Sequence, residues 1–447
     1  MGSVKFRILA YSLGNLGINL YTQAFATYAV FYYVDRLRVS AALIGLAMAI
    51  HGLANALFNP LIGYLSDRTQ SRFGRRMPFM VIGILPFALA FFLVFHPQWA
   101  ISFHANGPQS QSAAFFYFLF SVLTLDMLFV IVALNWTALF PEMYTTLKER
   151  AQASSWRQFF GLLGMILGVA MPPVIDSTLG YEAMAALFAG LGFVTFTVSL
   201  LGVRESPQAQ SSANVPLLRA LRLTFWNRAF LTYVGASFFV QLAFVFIISI
   251  MPFYTAYVLR ATSAQTTLLL STFFLIAIPC VYVWGTIARR IGAYRSMLAS
   301  LFLFAAALLP FLFIRSYSAA LIAILPLGAG VAGVLILLDV LLSDVIDDDE
   351  KRSGARREGM YYGVQGFVVR FGITIQALVL TQVLAHTGYV PQRMDQVPHA
   401  VLAMKLLLSV TPLCAILIGL LFLWRYPLHG TFQRVPANGR AGMHTGC

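Results

Sequence analysis

Long apolar runs separated by short polar breaks follow one another along almost the whole chain. A helix needs about 20 apolar residues to cross the roughly 30 Å hydrocarbon core of a bilayer. Membrane β-strands alternate apolar and polar residues and are only about ten residues long, so the runs predict an all-α membrane protein. The twelve runs of sufficient length are residues 8–33, 41–64, 78–97, 113–139, 158–175, 182–203, 229–257, 264–288, 294–314, 319–343, 358–385 and 400–425.

The composition indicates the same class. Of the 447 residues, 59% are hydrophobic and 10% are charged, whereas soluble domains carry about 25% charged residues. The three cysteines are Cys280 and Cys414, which lie within predicted spans, and Cys447, which is the last residue. This placement indicates no disulfide framework and no redox or metal role.

The net charge of +14 is explained by topology and does not indicate nucleic-acid binding. With the amino terminus in the cytoplasm, 22 of the 30 Lys and Arg residues fall in cytoplasmic segments, six on the opposite side, and two near or within spans. This asymmetry predicts that both termini are cytoplasmic. The first run is too long, and lacks a small-residue cleavage site, for a removable signal peptide, so we expect it to remain as the first span.

The chain divides into two halves that repeat weakly. We predict an N-terminal six-helix bundle at 1–203, a central cytoplasmic loop at 204–228, a C-terminal six-helix bundle at 229–426 and a cytoplasmic tail at 427–447. A glycine followed by clustered arginines recurs after the second and eighth spans, as GYLSDR with GRR and as GTIARRIG. Parallel repeats around a central path are typical of secondary transporters.

Other classes of membrane protein fit less well. No long pore loop lies between spans, and HExxH, paired-His and GxSxG motifs placed for chemistry are absent from the sequence. We therefore predict a transporter rather than a channel, a membrane enzyme or a scaffold, and we expect no cofactor and no metal.

Three predicted cytoplasmic loops carry a family resemblance. They are NPLIGYLSDRTQSRFGRRMPF at 59–79, NWTALFPEMYTTLKERAQASSWRQFFG at 135–161 and SDVIDDDEKRSGARREGMYYGVQGFVVRFG at 343–372. Together they resemble the glycoside–pentoside–hexuronide cation symporters, the melibiose-carrier group of the major facilitator superfamily. The resemblance implies two six-helix bundles and a monomeric symporter of a glycoside or hexuronide with a cation, located in the plasma membrane (the inner membrane in a bacterium).

The resemblance also implies where the cation would bind. The two acidic positions of the second helix are Asn55 and Asn59 here, and the fourth-helix carboxylate, four residues before the tryptophan, is Val132. Because these side chains supply no anionic oxygen, we expect coupling to H⁺ rather than to Na⁺. Three titratable side chains at span depth are candidate proton carriers: His51, Asp126 and Asp339. For His51 a helix-packing contact is the alternative.

The family's substrate positions are partly retained. The sugar-binding acid of the first helix corresponds to Asn19, whereas Trp136, Arg157, Gln365 and a basic residue at Arg370 are kept. The resemblance implies that these five residues line a central cavity, where Trp136 would stack on a sugar ring. Membrane amides also join helices to one another, a role that we favour for Asn15, and tryptophans form interfacial belts.

The two intramembrane arginines need anions close by, because arginine stays charged. Either Asp126 and Asp339 pair with Arg157 and Arg370, or the substrate supplies a carboxylate, as a hexuronide would. Both alternatives stay open from the sequence.

Loop charges predict a cytoplasmic gate that closes while the cavity is open to the outside. Solvated loop charges are the alternative interpretation. The gate residues are Asp67, Arg75, Glu142, Arg150, Asp344 and Asp347.

Glycines predict close helix contacts on the fifth and eleventh helices. They are Gly161, Gly164, Gly168, Gly359, Gly363, Gly366 and Gly372.

Two rival functions remain. One is a carrier of another amphipathic solute, such as a lysolipid, since related animal carriers share these loops and Leu128 and Leu335 replace expected aromatic residues. The other is a transport-inactive sensor or scaffold.

Overall fold

The computed structural model describes residues 2–69, 71, 74–97, 108–144, 147–204, 227–353 and 358–428, although some side chains within these helices lie outside the description. The described residues form helices joined by short turns, without a strand. The all-α prediction is therefore confirmed for this part of the chain.

Most of the helices follow the predicted apolar runs closely. We label them α1 (Gly2–Phe31), α2 (Ala41–Arg68), α3 (Met77–Val94), α4 (Pro108–Phe129, continued through a π-helical turn Val130–Leu134 into Asn135–Met143), α5 (Leu147–Ala170), α6 (Pro172–Gly202), α7 (Arg228–Phe253), α8 (Ser263–Ile291), α9 (Ala293–Leu308), α10 (Tyr317–Ser353), α11 (Glu358–His386) and α12 (Pro398–Leu408 and Val410–Trp424).

Nine of these helices, within the described residues, are long and apolar enough to cross a membrane. Of the other three, α1 and α5 are as long but carry more polar residues, and α2 is apolar over Ala41–Asn55, beyond which some of its side chains lie outside the description. α5 begins with LKERAQASSWRQ before its apolar part starts.

Several helices differ from the predicted spans. α5 runs from Leu147 to Ala170 instead of 158–175, and α6 begins at Pro172 instead of 182, with a break in the helical backbone at Gly180 (φ 84°). α10 continues ten residues beyond the predicted end at 343 and takes in the acidic run Asp347–Glu350. α12 is interrupted at Ser409. Pro412 follows three residues later, and a proline ring clashes with the carbonyl four residues before it, here that of Leu408, where the first segment ends.

α1 and α7 end in the same way. α1 is followed by a π-helical turn, Tyr32–Arg36, and α7 by a π-helical turn, Tyr254–Val258. In both, the amide after the turn donates to its first carbonyl, Leu37 to Tyr32 at 3.0 Å and Leu259 to Tyr254 at 3.1 Å. This backbone geometry repeats between the two groups of helices.

Extensive packing occurs within α1–α6 and within α7–α12, for example between α1 and α5 and between α8 and α10. Contacts between the two groups run mainly through the pairs α2–α11, α5–α8 and α1–α7. The space enclosed by these pairs is where a solute path would lie.

Close glycine contacts occur on α5, as predicted. A methyl group added to Gly164 or Gly168 would overlap the backbone of α1 at Leu16 or Leu20. On α11 the prediction is wrong for the glycines described, because Gly366 has open space around it and Gly372 meets its nearest neighbour at 3.6 Å.

The small residues of the α2–α11 contact lie on α2 instead. Added methyl groups at Gly45 and Gly52 would overlap Thr381 and Thr374 of α11. Seven residues, or two helical turns, separate each pair of positions along its helix. α2 and α11 therefore pack closely over the half of α2 that begins at Ala41.

Candidate functional site

A cavity of about 500 Å³ lies between α1 and α5 on one side and α8 and α10 on the other. Among the described residues, four polar side chains line it: Asn19, Gln158, Asp339 and Ser343. The rest of the lining is apolar or glycine, as is usual for a small-molecule site with a few orienting polar groups. Amide, hydroxyl and carboxylate groups together can bind the hydroxyl groups of a sugar.

Asn19 is held in place by a chain of amides between α1 and α5. Its Nδ2 donates to the carbonyl of Asn15 at 2.9 Å, and Nδ2 of Asn15 donates to the carbonyl of Arg157 at 2.7 Å. Gly161 has no side chain to crowd these amides: a methyl group there would overlap the amide of Asn15 and lie 3.2 Å from Nδ2 of Asn19. Asn15 thus joins two helices, as predicted, whereas Asn19 reaches the cavity.

Asp339 and Ser343 lie one turn apart on α10 and are both exposed. The hydroxyl of Ser343 donates to the backbone carbonyl of Asp339 at 2.9 Å. The carboxylate of Asp339 has no hydrogen-bond or ionic partner among the described residues. It is free to accept hydrogen bonds from a solute, or a proton from the cavity.

A second polar group joins α2 to α4. Asn55 donates from Nδ2 to Oδ2 of Asp126, and its own Oδ1 accepts a hydrogen bond from Asn59 at 2.9 Å. Nε2 of His51 lies 3.6 Å from the same oxygen of Asp126. Asn55 and His51 are buried, and Nδ1 of His51 has no hydrogen-bond partner within the described structure.

This group, which we call the Asp126 cluster (His51, Asn55, Asn59 and Asp126), borders a small cavity of about 100 Å³. The cavity walls are largely aromatic, with Tyr21, Phe25, Phe87 and Phe129. An ionised carboxylate in such surroundings must be stabilised by donors or take up a proton. A carboxylate beside an imidazole can take up and release a proton.

The family resemblance did not point to Asp126. Counting four residues back from Trp136 gives Val132, whose side chain packs against Gly83 of α3. The π-helical turn Val130–Leu134 inserts an extra residue before Trp136, which rotates the preceding part of α4 relative to an ideal helix. The carboxylate that meets α2 is Asp126, which the sequence singled out only as a charge at span depth.

Trp136 does not offer a free ring face to a solute in this structure. It is 1% exposed, and the ring of Tyr11 stacks on it at 4.5 Å. The guanidinium carbon of Arg157 lies 4.8 Å from the tryptophan ring and 4.7 Å from that of Phe140. Trp136 and Arg157 therefore form one stacked unit beside the cavity, and neither lines it.

Of the two alternatives for Arg157, the ion pair with Asp126 or Asp339 is not formed among the described residues. Among the described residues, no carboxylate lies within ion-pair distance of Arg157, and its Nε has no hydrogen-bond partner. The aromatic rings instead stabilise the guanidinium by cation–π contact.

The remaining predicted site residues stay predictions. Gln365 is half-buried on α11 and lines neither cavity, and the side chain of Arg370 lies outside the description. Of the gate residues, the side chains of Asp67, Glu142 and Arg150 lie outside it too. The other three are placed on the turn before α3 (Arg75) and on α10 (Asp344 and Asp347).

Sequence reasoning missed two cavity residues, Gln158 and Ser343. Gln158 shares one face of α5 with Gly161, Leu162 and Met165, a spacing of three to four residues that marks a single side of a helix. A single amide in an otherwise apolar stripe of the helix could have marked Gln158 as a cavity residue.

A family model described as MFS/sugar transport protein matches residues 10–430. The isoprimeverose transporter of Lactiplantibacillus pentosus is 26% identical, over 85% of this chain and 80% of that protein. The sodium-dependent lysophosphatidylcholine symporter 1 of Mus musculus is 23% identical, over 94% of this chain and 85% of that protein.

The fold also matches solved transporters. The crystal structure of a D-xylose–proton symporter superposes with a TM-score of 0.67 and 16% identity, covering 95% of this chain and 98% of that one. At this identity the likeness establishes the fold.

Proposed function

This chain belongs to the MFS/sugar transport protein family, and from that premise we propose that it is a proton-coupled symporter of a glycoside that works by alternating access. The family and its relatives are transporters rather than enzymes. The resemblance to the glycoside–pentoside–hexuronide cation symporters is confirmed, and the chain is a multi-pass protein of the plasma membrane, the inner membrane in a bacterium.

The proposed topology has twelve spans with both termini in the cytoplasm. Support comes from the nine apolar helices among the described residues, from the three other long helices packed with them, and from the distribution of Lys and Arg. The bundles at 1–203 and 229–426 then act as the two moving halves, joined by 204–228 and followed by the tail 427–447. The Asp35 end of α1 faces outside.

The cavity between the halves is the observation that carries the substrate proposal. Asn19 and Gln158 from the first half and Asp339 and Ser343 from the second half all line it. A carboxylate accepts two hydroxyl hydrogen bonds at once, and each amide both donates and accepts. A hydroxyl-rich glycoside uses all four groups, whereas a lysolipid chain would leave them without partners, which is costly away from water.

The conformation is inward-facing in this proposal. At the Asp35 end of the molecule the two halves are packed together. Ser249 of α7 donates a hydrogen bond to the backbone carbonyl of Ala26 of α1 at 2.8 Å, and the loop before α12 contacts the end of α1. Gln158, Asp339 and Ser343 are exposed although they lie well inside their helices. The predicted charges at the cytoplasmic face would form the opposing gate when the cavity opens outward.

Coupling to a proton is supported by the Asp126 cluster. It holds one carboxylate that faces an amide donor and an imidazole. A Na⁺ site requires several oxygen ligands instead, which Asn55 and His51, turned toward Asp126 through nitrogen, do not supply. Protonation would remove the buried charge of Asp126 and change its bonding to α2, the helix that contacts the other half.

A hexuronide stays within the proposed substrate class. Arg157 carries a charge with no carboxylate nearby among the described residues, and Arg370 is a second basic residue on α11. A change of conformation that frees Arg157 from its stack would bring a guanidinium to the substrate carboxylate.

Uptake into right-side-out vesicles tests the proposal. A panel of labelled glycosides and glucuronides is offered with a pH gradient or a Na⁺ gradient, each imposed alone. We expect accumulation of at least one glycoside with the pH gradient (acid outside) and none above equilibrium with Na⁺. Accumulation driven by Na⁺ alone would reject proton coupling, and uptake of lysolipid without any glycoside would reject the substrate class.

A further inference from the structure

A buried carboxylate sits at the outer end of α1. Asp35 is 3% exposed, and its Oδ1 accepts hydrogen bonds from the hydroxyls of Tyr257 and Tyr389 and from the backbone N–H of Gln392 at 3.1 Å. All three donors belong to the second half, whereas Asp35 belongs to the first. One carboxylate oxygen thus joins the halves on the outside.

Asp35 and Tyr257 occupy matching positions of the internal repeat. Each is the fourth residue of the π-helical turn that ends α1 or α7. Leucine and arginine follow each turn at equivalent places, as Leu37-Arg38 and Leu259-Arg260, and both arginines have positive φ angles, 57° and 51°. Two symmetry-related side chains, one acidic and one phenolic, therefore meet across the axis between the halves.

The loop before α12 completes the contact through Gln392. Its side-chain amide donates to the carbonyl of Arg36 at 3.0 Å and accepts from the guanidinium of Arg38 at 2.7 Å. The same backbone N–H that reaches Asp35 lies 3.0 Å from the hydroxyl of Tyr257. With a φ of 60°, Gln392 takes a backbone conformation that is uncommon for a residue with a side chain.

Tyr389 remains a donor under ordinary conditions. Burial and the nearby charge of Asp35 both raise the pKa of its phenol. A protonated phenol donates to an ionised carboxylate, a charge-assisted bond that is stronger than one between neutral groups.

We propose that Asp35, with Tyr257, Tyr389 and Gln392, is the outer lock of the transport cycle: the contact that must break for the cavity to open outward. The proposal rests on alternating access. Because every donor comes from the other half, separating the halves on the outside removes all three hydrogen bonds and exposes the carboxylate to water, which then replaces them.

A neighbouring ion pair provides a matched control. Arg36 binds Asp176 of α6 at 2.6 Å, at the same end of the molecule, but both residues belong to the first half. An Asp176→Asn substitution removes a carboxylate of similar location that pairs with the side chain of Arg36, whereas the contact of Arg36 with the second half uses its backbone carbonyl.

The test measures outside access to Ser249, which is 2% exposed and lies two turns before Tyr257 on α7. Ser249→Cys is introduced into a chain in which Cys280, Cys414 and Cys447 are serine, and right-side-out vesicles are labelled with a membrane-impermeant maleimide. We expect Asp35→Ala to raise the labelling rate about tenfold, and Tyr257→Phe and Tyr389→Phe to raise it about threefold each. Asp176→Asn should leave the rate unchanged.

An unchanged rate in Asp35→Ala, with the protein eluting as a normal folded peak in detergent, would overturn the proposal, since a purely structural carboxylate would lower stability without opening the outer side. An equal rise with Asp176→Asn would also overturn it. Tyr257→Phe and Tyr389→Phe remove only a hydroxyl and keep the ring contacts, so a rise in their labelling rate is not explained by misfolding. Labelling needs no substrate, so a failure to transport any glycoside would reject the proposed function and leave this test intact.

Discussion

Asp126 on α4 accepts a hydrogen bond from Asn55 on α2, and His51 on the same face of α2 lies 3.6 Å from the same carboxylate oxygen. One helical turn separates His51 from Asn55, so both reach a single acceptor. Gly52, between them, packs against Thr374 of α11. The cluster that we assign to the coupling proton therefore lies next to a contact between the two halves.

Asp126→Asn should separate transport from proton coupling. An amide keeps the shape of the side chain but cannot take up a proton, so accumulation driven by a pH gradient should be lost. Exchange of glycoside across the membrane at equal concentrations, measured as counterflow of labelled solute, should persist within about threefold of the wild-type rate.

If Asp126→Asn still accumulates glycoside in response to the pH gradient, the proton is carried elsewhere, and Asp339 is the next residue to test. Asp176→Asn, outside the cluster, should keep full coupling.

Gln158 and Asp339 should determine substrate affinity. Loss of one hydrogen bond to a neutral partner costs about 0.5–1.5 kcal/mol, and loss of one to a charged group about 1.5–3 kcal/mol. We expect KM for a neutral glycoside to rise up to about tenfold in Gln158→Ala and more in Asp339→Asn, by the relation of about 1.4 kcal/mol to a tenfold change.

Gln382→Ala is the matched amide deletion for this comparison. Gln382 is exposed on α11 and lies outside the cavity, so its KM should stay at the wild-type value. Unchanged KM in both cavity variants would place the substrate elsewhere.

The stack of Tyr11, Trp136 and Arg157 should matter for stability more than for substrate binding in the inward-facing state. Trp136→Ala removes a buried ring and should cost about 3–5 kcal/mol of unfolding free energy. Arg157→Gln loses the cation–π contact and should cost about 0.5–2 kcal/mol. Thermal unfolding midpoints in detergent, read by intrinsic fluorescence, should fall more in Trp136→Ala than in Arg157→Gln. A normal midpoint in Trp136→Ala would contradict the packing role.

Gly52→Val should push α2 and α11 apart. Its side chain would overlap Thr374, and overpacking of this kind costs about 1–3 kcal/mol. The population should shift away from the closed outer side, which raises maleimide labelling of Ser249→Cys. The paired change Thr374→Ala should restore much of the wild-type rate, whereas Gly190→Ala, at an open position, should have no effect. A lack of rescue would point to a general loss of structure.

Arg370→Gln should weaken transport of an acidic sugar more than that of a neutral one. A guanidinium that pairs with a carboxylate contributes to binding only when the substrate carries that charge. Competition of a glucuronide and a neutral glycoside for uptake of the same label gives the ratio. Equal losses for both would reject charge matching and favour a structural role for Arg370.

Part of the candidate site was predictable from single residues. Asn19, Asp126, His51 and Asp339 stood out because a polar side chain in an apolar run must find a partner or water. Asn19 and Asp339 line the cavity between the halves, and His51 and Asp126 belong to the Asp126 cluster. Their partners were not predictable. That Asp126 is the carboxylate that reaches α2 could not be read from residue counting, because the π-helical turn Val130–Leu134 changes the rotation of α4.

The sequence by itself determined the helical membrane fold, the order of the apolar segments and the family, because the transfer of a segment into lipid and the signature of a loop are properties of consecutive residues. Only the tertiary structure decided which side chains meet. Asn55 and Asp126 are 71 residues apart, and Asp35 and Tyr257 are 222 apart. Such pairs depend on how each helix is rotated and how closely its glycines let it approach a neighbour, and these quantities are set by the packing of the whole bundle.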